Sequence, residues 1–394
     1  MAPPIRRSNR SPAPLVAVLG GGGAMGRAVV YHLARTGHPV RIIENDAAAA
    51  RRVARRYGGR RCTVVGADVA DTAALARALR GAAAVVNCAP YRVNLPAMDA
   101  ALTARCHYVD LGGLFHTTRR QLQRHAEFRR AGLLAVLGMG SAPGITNVLA
   151  RAAADPLLRI RSIRVYNGGD DRTRYASPLP FAFSPATVLD EFTLPPMVFE
   201  HGRFRSVPPL TGDEAFRFDL GVQRVRYSLH SEVATLPLTY RRKGIRDCAF
   251  KIAYDPELVR RLRLLIDLGL TDPRPGPRGV APRDILLDCF RRLPAPPDVV
   301  DDRDTLAVVV DGEDARGRVR VRHDLTARAQ RDPPLSAVAR DTGFPPAIVV
   351  RMILAGTITE RGVLPPERCV PARELLSALA RTGMRARRRV QRPR

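Results

Sequence analysis

The chain has 394 residues, 45% of them hydrophobic, and a formal charge of +27, which allows a sizeable core and two domains. Its six cysteines, Cys62, Cys88, Cys106, Cys248, Cys289 and Cys369, show no C-x-x-C pairing. This argues against a zinc site or a disulfide framework and fits reduced thiols in a cytoplasmic protein.

Residues 1–14 are rich in proline and arginine, lack the apolar core of a signal peptide, and are expected to form a disordered lead. A short apolar strand at 15–19 then runs into Gly20–Gly23 and a helix. The frame G-x-G-x-x-G falls on Gly21, Gly23 and Gly26. In a dinucleotide site the first glycine allows the turn, the second admits the pyrophosphate and the third lets the helix pack on the strand. The free N–H groups at the helix start, around Ala24 and Met25, would face the phosphates. A second strand at 40–44 ends in Glu44, 18 residues beyond Gly26, where an acceptor for the ribose hydroxyls belongs. A carboxylate there favours NAD over NADP, whereas Arg51 and Arg52 a turn later would favour NADP.

A helix at 47–57 precedes a third strand at 61–69. At its end Asp68 and Val69 either touch the adenine or, for Asp68, cap the helix at 72–79. A fourth strand at 82–90 ends in Ala89 and Pro90, followed by the turn of Tyr91. Further strands are predicted at 107–113 and 133–138, separated by a helix at 118–130. This alternation implies a doubly wound parallel sheet, with ligands bound beyond the carboxyl ends of its strands. Tyr91, Asp110 and the loop 140–147, with Thr146 and Asn147, then share one rim.

From about residue 160 the texture changes to partly alternating strands (165–169, 203–207, 225–229, 249–254), helices at 185–192 and 256–268, and a hairpin of 306–310 with 319–321. A mixed α/β domain with a largely antiparallel sheet is expected. The organisation is therefore a Rossmann-type domain over 15–147, a substrate domain over 148–332, a helical segment over 333–384 and a basic tail over 385–394. Within the helical segment, 335–353 has the outline of a helix-turn-helix, but its second helix is apolar and lacks side chains that read base edges. Six of the last ten residues are arginine and lysine occurs only at Lys243 and Lys251. The charge excess thus reads as tail and solvated faces, and nucleic acid is not an expected partner. No apolar run approaches the ~20 residues of a membrane span.

Three stretches, Val86-Asn87-Cys88-Ala89-Pro90-Tyr91, Tyr108-Val109-Asp110-Leu111-Gly112-Gly113 and Gly140-Ser141-Ala142-Pro143-Gly144-Ile145-Thr146-Asn147, are followed by His230-Ser231-Glu232, Lys243-Gly244-Ile245 and Gly362-Val363-Leu364-Pro365-Pro366-Glu367. In this succession the chain resembles the saccharopine dehydrogenase family, in its lysine 6-dehydrogenase-like branch. The resemblance implies NAD(P)-dependent chemistry at the C–N bond of an amino acid or amine. Its versions are oxidation of a lysine-like amine to a semialdehyde, or imine reduction as in saccharopine or carboxyspermidine formation. It also implies C-terminal helices that return to the Rossmann domain, and a homodimer. Ala142, where saccharopine reductases carry Asp before Pro-Gly, argues against saccharopine itself. By the same resemblance Asp110 and Tyr91 handle the proton, against the plainer readings that Asp110 caps a turn and Tyr91 packs on the cofactor.

His230 and Glu232, read as neighbours on one face of a strand, either line the substrate cleft or form a local pair. Lys243, with a shiftable pKa that arginine lacks, is a candidate partner for a substrate carboxylate. No metal constellation is visible. A cofactor-binding sensor, or a DNA-binding protein using the basic surface, is the non-enzymatic alternative.

Overall fold

The computed structural model describes residues 13–69, 71–276 and 279–392. The lead expected over 1–14 lies, apart from its last two residues, outside them. Strands β1 Val16–Leu19, β2 Val40–Glu44, β3 Cys62–Gly66, β4 Ala84–Asn87, β5 His107–Asp110 and β6 Leu134–Val136 are followed by β7 Arg159–Asp171, β8 Met197–Glu200, β9 Arg203–Ser206 and β10 Glu214–Phe218. Then come β11 Gly221–Tyr227, β12 Asp247–Ile252, β13 Asp302–Asp314, β14 Gly317–Arg328, β15 Gly362–Leu364 and β16 Arg387–Gln391. The first sheet has seven parallel strands in the order β15-β6-β5-β4-β1-β2-β3. Every residue of β1, β4 and β6 is buried, as a parallel sheet covered on both faces requires.

The second sheet runs β10-β11-β12-β7-β13-β14-β16, with β8 on β12 and β9 on β8. Only the pairing of β12 with β7 is parallel. The hairpin β13–β14 is far longer than its apolar centre suggested, because charged residues at both ends keep the ladder through arginine–carboxylate pairs such as Arg320–Asp311.

Three expectations are corrected. The basic tail is, over Arg387–Gln391, an edge strand on β14, with Arg387 and Arg389 on Asp219 and Arg392 on Asp314. The helix-turn-helix outline is one helix, Ala337–Leu354, running straight through Pro345 and Pro346. It is buried nearly all round, and that burial outweighs the two hydrogen bonds the prolines forgo. It returns to the helix Ala24–Arg35. A Cβ on Gly343 would lie 2.6 Å from Ala28 Cβ and 2.9 Å from the Met25 carbonyl, and Phe344 packs on Tyr31 and His32. Third, β15 adds a seventh strand to the first sheet beside β6; a run of three residues is too short to show a period. No helix among the described residues is long and apolar enough to cross a membrane.

Candidate active site

The glycine-rich turn closes on itself tightly. The positive φ falls on Gly20, at +66°, where a Cβ would meet Ala89 N at 2.9 Å. A Cβ on Gly21 would strike Ile42 Cγ2 at 2.8 Å, and one on Gly26 would strike the Gly20 carbonyl oxygen at 2.2 Å. Gly23, at the helix N-cap, is open on its outer side. The helix Ala24–Arg35 has no acidic residue in its first turn and no side-chain cap, so its leading N–H groups are available to an anion. Glu44 ends β2 beside the turn, and its Oε2 accepts the Gly22 N–H at 3.1 Å. Glycines that a Cβ would block, free amides and a carboxylate at the end of β2 fit a dinucleotide.

This turn opens into a cleft of about 1540 Å³ between the two sheets. Gly23, Ala24, Met25, Glu44, Val69, Ala89, Pro90 and Tyr91 line its nucleotide side; Gly21 and Gly26 lie beneath, and Asp68 sits between the lining residues Ala67 and Val69. The far wall comes from β7, the helix Pro185–Thr193, the turn after β11 and the start of β13. No group of His, Cys, Asp or Glu among the described residues is placed to hold a metal ion.

Tyr91 stands at the rim. Its hydroxyl donates to Asp190 Oδ2 at 2.8 Å, and burial together with that bond pushes the phenol up to about 12. Arg92 and Arg283 reach the same carboxylate, each at 2.7 Å. Asp190 therefore fastens the loop after β4 to the helix Pro185–Thr193.

Asp110 is not in the cleft. It is fully buried behind the wall, where Oδ1 accepts from Gly112 N at 3.0 Å and Gly138 N at 2.6 Å, and Oδ2 from Gln121 Nε2 at 2.6 Å. Burial raises its pKa, against the pull of these donors and of Tyr108. A Cβ on Gly112 or Gly138 would lie 2.9 or 2.7 Å from Pro143 Cγ, so the carboxylate gathers two glycine loops around that proline.

Thr146 and Asn147 are buried on the helix Ile145–Ala154. Thr146 donates to Glu232 Oε1 at 2.9 Å; Asn147 reaches Glu367 Oε2 at 2.8 Å and accepts from Gly144 N at 3.0 Å. Lys243 is displaced from the cleft as well. Its Nζ donates to the carbonyls of Ala154 and Asp155 at 2.9 and 2.6 Å, a cation closing a helix C-terminus.

His230 and Glu232 do not share a strand: β11 ends at Tyr227, and Glu232 opens the helix Glu232–Thr239. The chain turn brings them together nonetheless. His230 lines the cleft, stacks on Phe250 at 3.7 Å and places Nδ1 2.8 Å from Glu232 Oε2. Its Nε2 points to Glu191 Oε1 at 4.0 Å. Burial lowers the imidazole pKa, but Glu232 and Glu191 outweigh it and the net shift is upward. Glu191, fully buried on the cleft wall, takes the Tyr254 hydroxyl on Oε2.

Sequence reading missed Glu191, Asp190, Tyr254 and the carboxyls at the start of β13. Asp304 lines the cleft, held by Asn167 Nδ2 at 2.9 Å and facing Asp341 of the returning helix. Burial raises the Asp304 pKa, and burial plus the neighbouring Asp304 raises that of Asp341 well above the usual range. A helix at 185–192 was legible, but nothing in its pattern distinguishes a carboxylate facing a cleft from one facing water.

A glycine-rich turn at the carboxyl edge of a parallel sheet, opening into an acid-lined interdomain cleft, defines a dinucleotide-binding α/β protein. The saccharopine dehydrogenase NADP binding domain matches residues 16–136 and the saccharopine dehydrogenase C-terminal domain residues 140–384. The chain belongs to the saccharopine dehydrogenase family. It is 26% identical over 205 residues to a carboxynorspermidine synthase of Vibrio alginolyticus and 27% identical over 205 residues to that of Vibrio cholerae. These matches cover 48% of this chain and 48% of each relative, so the chain spans about half the length of the curated relatives it matches. The L-Glu-forming saccharopine dehydrogenase of Saccharomyces cerevisiae shares the fold, with a TM-score of 0.74 at 18% identity over 96% of this chain and 100% of that one.

Proposed function

We propose that this protein is an NAD(P)-dependent oxidoreductase acting on a C–N bond of a cationic amine, with NAD as the coenzyme Glu44 favours. One observation carries the reading. In a chain of net charge +27, the cleft carboxyls Glu191, Asp302 and Asp304 have no arginine or lysine partner among the described residues, whereas the arginines that line the cleft are spent on other acids. Buried carboxyls without cations either hold protons or await a cation. A protonated amine supplies one.

The chain's own residues then divide the work. Gly20, Gly23 and the amides of Ala24 and Met25 seat the pyrophosphate, Glu44 takes the ribose, and Ala89 and Pro90 bound the nucleotide. Tyr91, fixed on Asp190, closes the rim. When bound, the coenzyme accepts or donates the hydride. Asp110, Thr146, Asn147 and Lys243 support this arrangement from behind rather than touching substrate.

Two versions remain within this reading. Oxidation of a lysine-like terminal amine needs only the cleft described. Imine reduction, forming a secondary amine from an aldehyde and an amine, is favoured by the likeness to carboxynorspermidine synthases. Nicotinamide fluorescence separates them. NAD⁺ is mixed with L-lysine and with diamines, and the reduced coenzyme with diamines plus an amino-acid semialdehyde. Turnover in the first set supports amine oxidation and in the second imine reduction. Turnover in neither, despite coenzyme binding, overturns the amine reading.

A further inference from the structure

The helix Pro185–Thr193 carries two adjacent acids with different surroundings. Ser184 caps it, accepting the Thr187 N–H at 3.4 Å, and Pro185 starts it. Successive helix residues diverge by about 100°. Asp190 accordingly turns to Tyr91, Arg92 and Arg283, where two arginines neutralise it and the phenol donates a third hydrogen bond. Glu191 turns to the cleft, where it meets no cationic side chain of fixed charge among the described residues. Its titratable surroundings are His230 at 4.0 Å, Glu232 beyond it, Tyr254 on Oε2, and Asp190 behind.

We propose that Glu191 is the group that exchanges a proton with the substrate nitrogen, and that His230, held by Glu232, is the positioning residue that sets the charge of Glu191. The proposal rests on the amine reading above. With His230 protonated, the Glu191–His230–Glu232 cluster carries one net negative charge and accepts one ammonium. The ammonium N–H passes its proton to a Glu191 oxygen. The amine lone pair so freed forms the C=N bond as the adjacent C–H bond gives up its two electrons, as hydride, to the oxidised coenzyme. In the reducing direction hydride reaches the iminium carbon and protonated Glu191 returns its proton to nitrogen.

Three further features suit this role. Burial raises the Glu191 pKa toward the working range of a proton-transfer group, while His230 and the Tyr254 hydroxyl oppose that rise. The imidazole is clamped by Phe250 and by its 2.8 Å bond to Glu232. Glu232 is itself fixed by the Thr146 hydroxyl, on the helix Ile145–Ala154, at 2.9 Å.

The test combines kinetics with a measurement on the enzyme free of coenzyme. Glu191→Gln, which leaves the cluster without net charge, should lower kcat at least 100-fold and raise KM for the ammonium substrate. Tyr254→Phe, which removes one donor from Glu191 and leaves the carboxylate, should move the acid limb of the pH profile upward. In protein labelled with [13C]ε1-histidine, the NMR titration midpoint of His230 should fall in Glu191→Gln and fall further in Glu232→Gln. Full activity with an unmoved pH profile in Glu191→Gln and Tyr254→Phe overturns the proposal. If the wild type turns over no amine, the amine reading fails separately. In that case an unmoved His230 midpoint in Glu191→Gln overturns the coupling, and a lowered midpoint supports it.

Discussion

Asp110→Asn separates support from chemistry, because a general acid or base at this position and a loop-tying carboxylate respond in opposite ways. In the native protein Oδ1 takes two backbone N–H groups and Oδ2 takes Gln121 Nε2. An asparagine must turn its NH₂ toward one side. Facing Gly112 and Gly138 it opposes two donors that cannot move. Facing Gln121 and Tyr108 it is met only if the phenol turns its proton away or the amide turns over, which sacrifices the contact from Asn94 to Gln121 Oε1 at 3.4 Å. The milder arrangement forfeits one or two buried, charge-assisted hydrogen bonds, about 1–3 kcal/mol each, or roughly 2–4 kcal/mol in all. For 394 residues, at about 2.1 cal/mol/K of unfolding entropy per residue, that is a fall in Tm of roughly 2–5 °C. Differential scanning fluorimetry and steady-state kinetics at 20 °C read both quantities. The expectation is a drop in Tm of that size with kcat within a few-fold of wild type and an unchanged pH profile. A variant with native Tm and abolished turnover would refute the supporting role and put Asp110 in the chemistry.

Other outcomes follow from the same geometry. Glu44→Ala removes the carboxylate that repels a 2′-phosphate, so the ratio of NADPH to NADH dissociation constants should fall about tenfold, ~1.4 kcal/mol; an unchanged ratio in fluorescence titrations would show that Glu44 does not meet the ribose. Lys243→Met strips two carbonyls of their donor at a helix end and should cost about 1–2 kcal/mol of stability with KM unaltered, measured by urea unfolding and kinetics. Asp302, 7% exposed, has its carboxyl pushed up by burial to about 6 from 3.8. A raised acid pKa means that the native state binds the proton more tightly. Its contribution, on the order of 3 kcal/mol, is therefore present below about pH 4 and is lost as the pH rises through about 6. Asp302→Asn, which still accepts the Ala337 N–H, should flatten that part of the stability-versus-pH curve, and an unaltered slope would count against the burial argument.

Much of the fold was legible because its signals are local. Gly20–Gly26 must lie at a strand-to-helix turn, since a Cβ at Gly26 would strike a backbone oxygen. Apolar runs such as Val16–Leu19 and Ala84–Asn87 are buried on both faces and announce a parallel sheet. Glu44 is fixed by its distance along the chain from the turn. The pairing of His230 with Glu232 was legible as a juxtaposition of two residues, although the backbone that produces it is a loop and helix start rather than a strand.

What the sequence determined by itself is therefore the nucleotide half: turn chemistry, strand period and the acid at the end of β2 are set by residues near in the chain. The tertiary structure alone decided which carboxylates face the cleft. Asp110 and Glu191 look alike in sequence, yet four donors enclose the first, whereas the second meets a histidine, a tyrosine and open space. It also decided that Pro345 and Pro346 stay inside a helix and that Arg387–Gln391 pairs as a strand. Each of these depends on partners far away in the chain, and local propensity yields where burial or pairing contributes more.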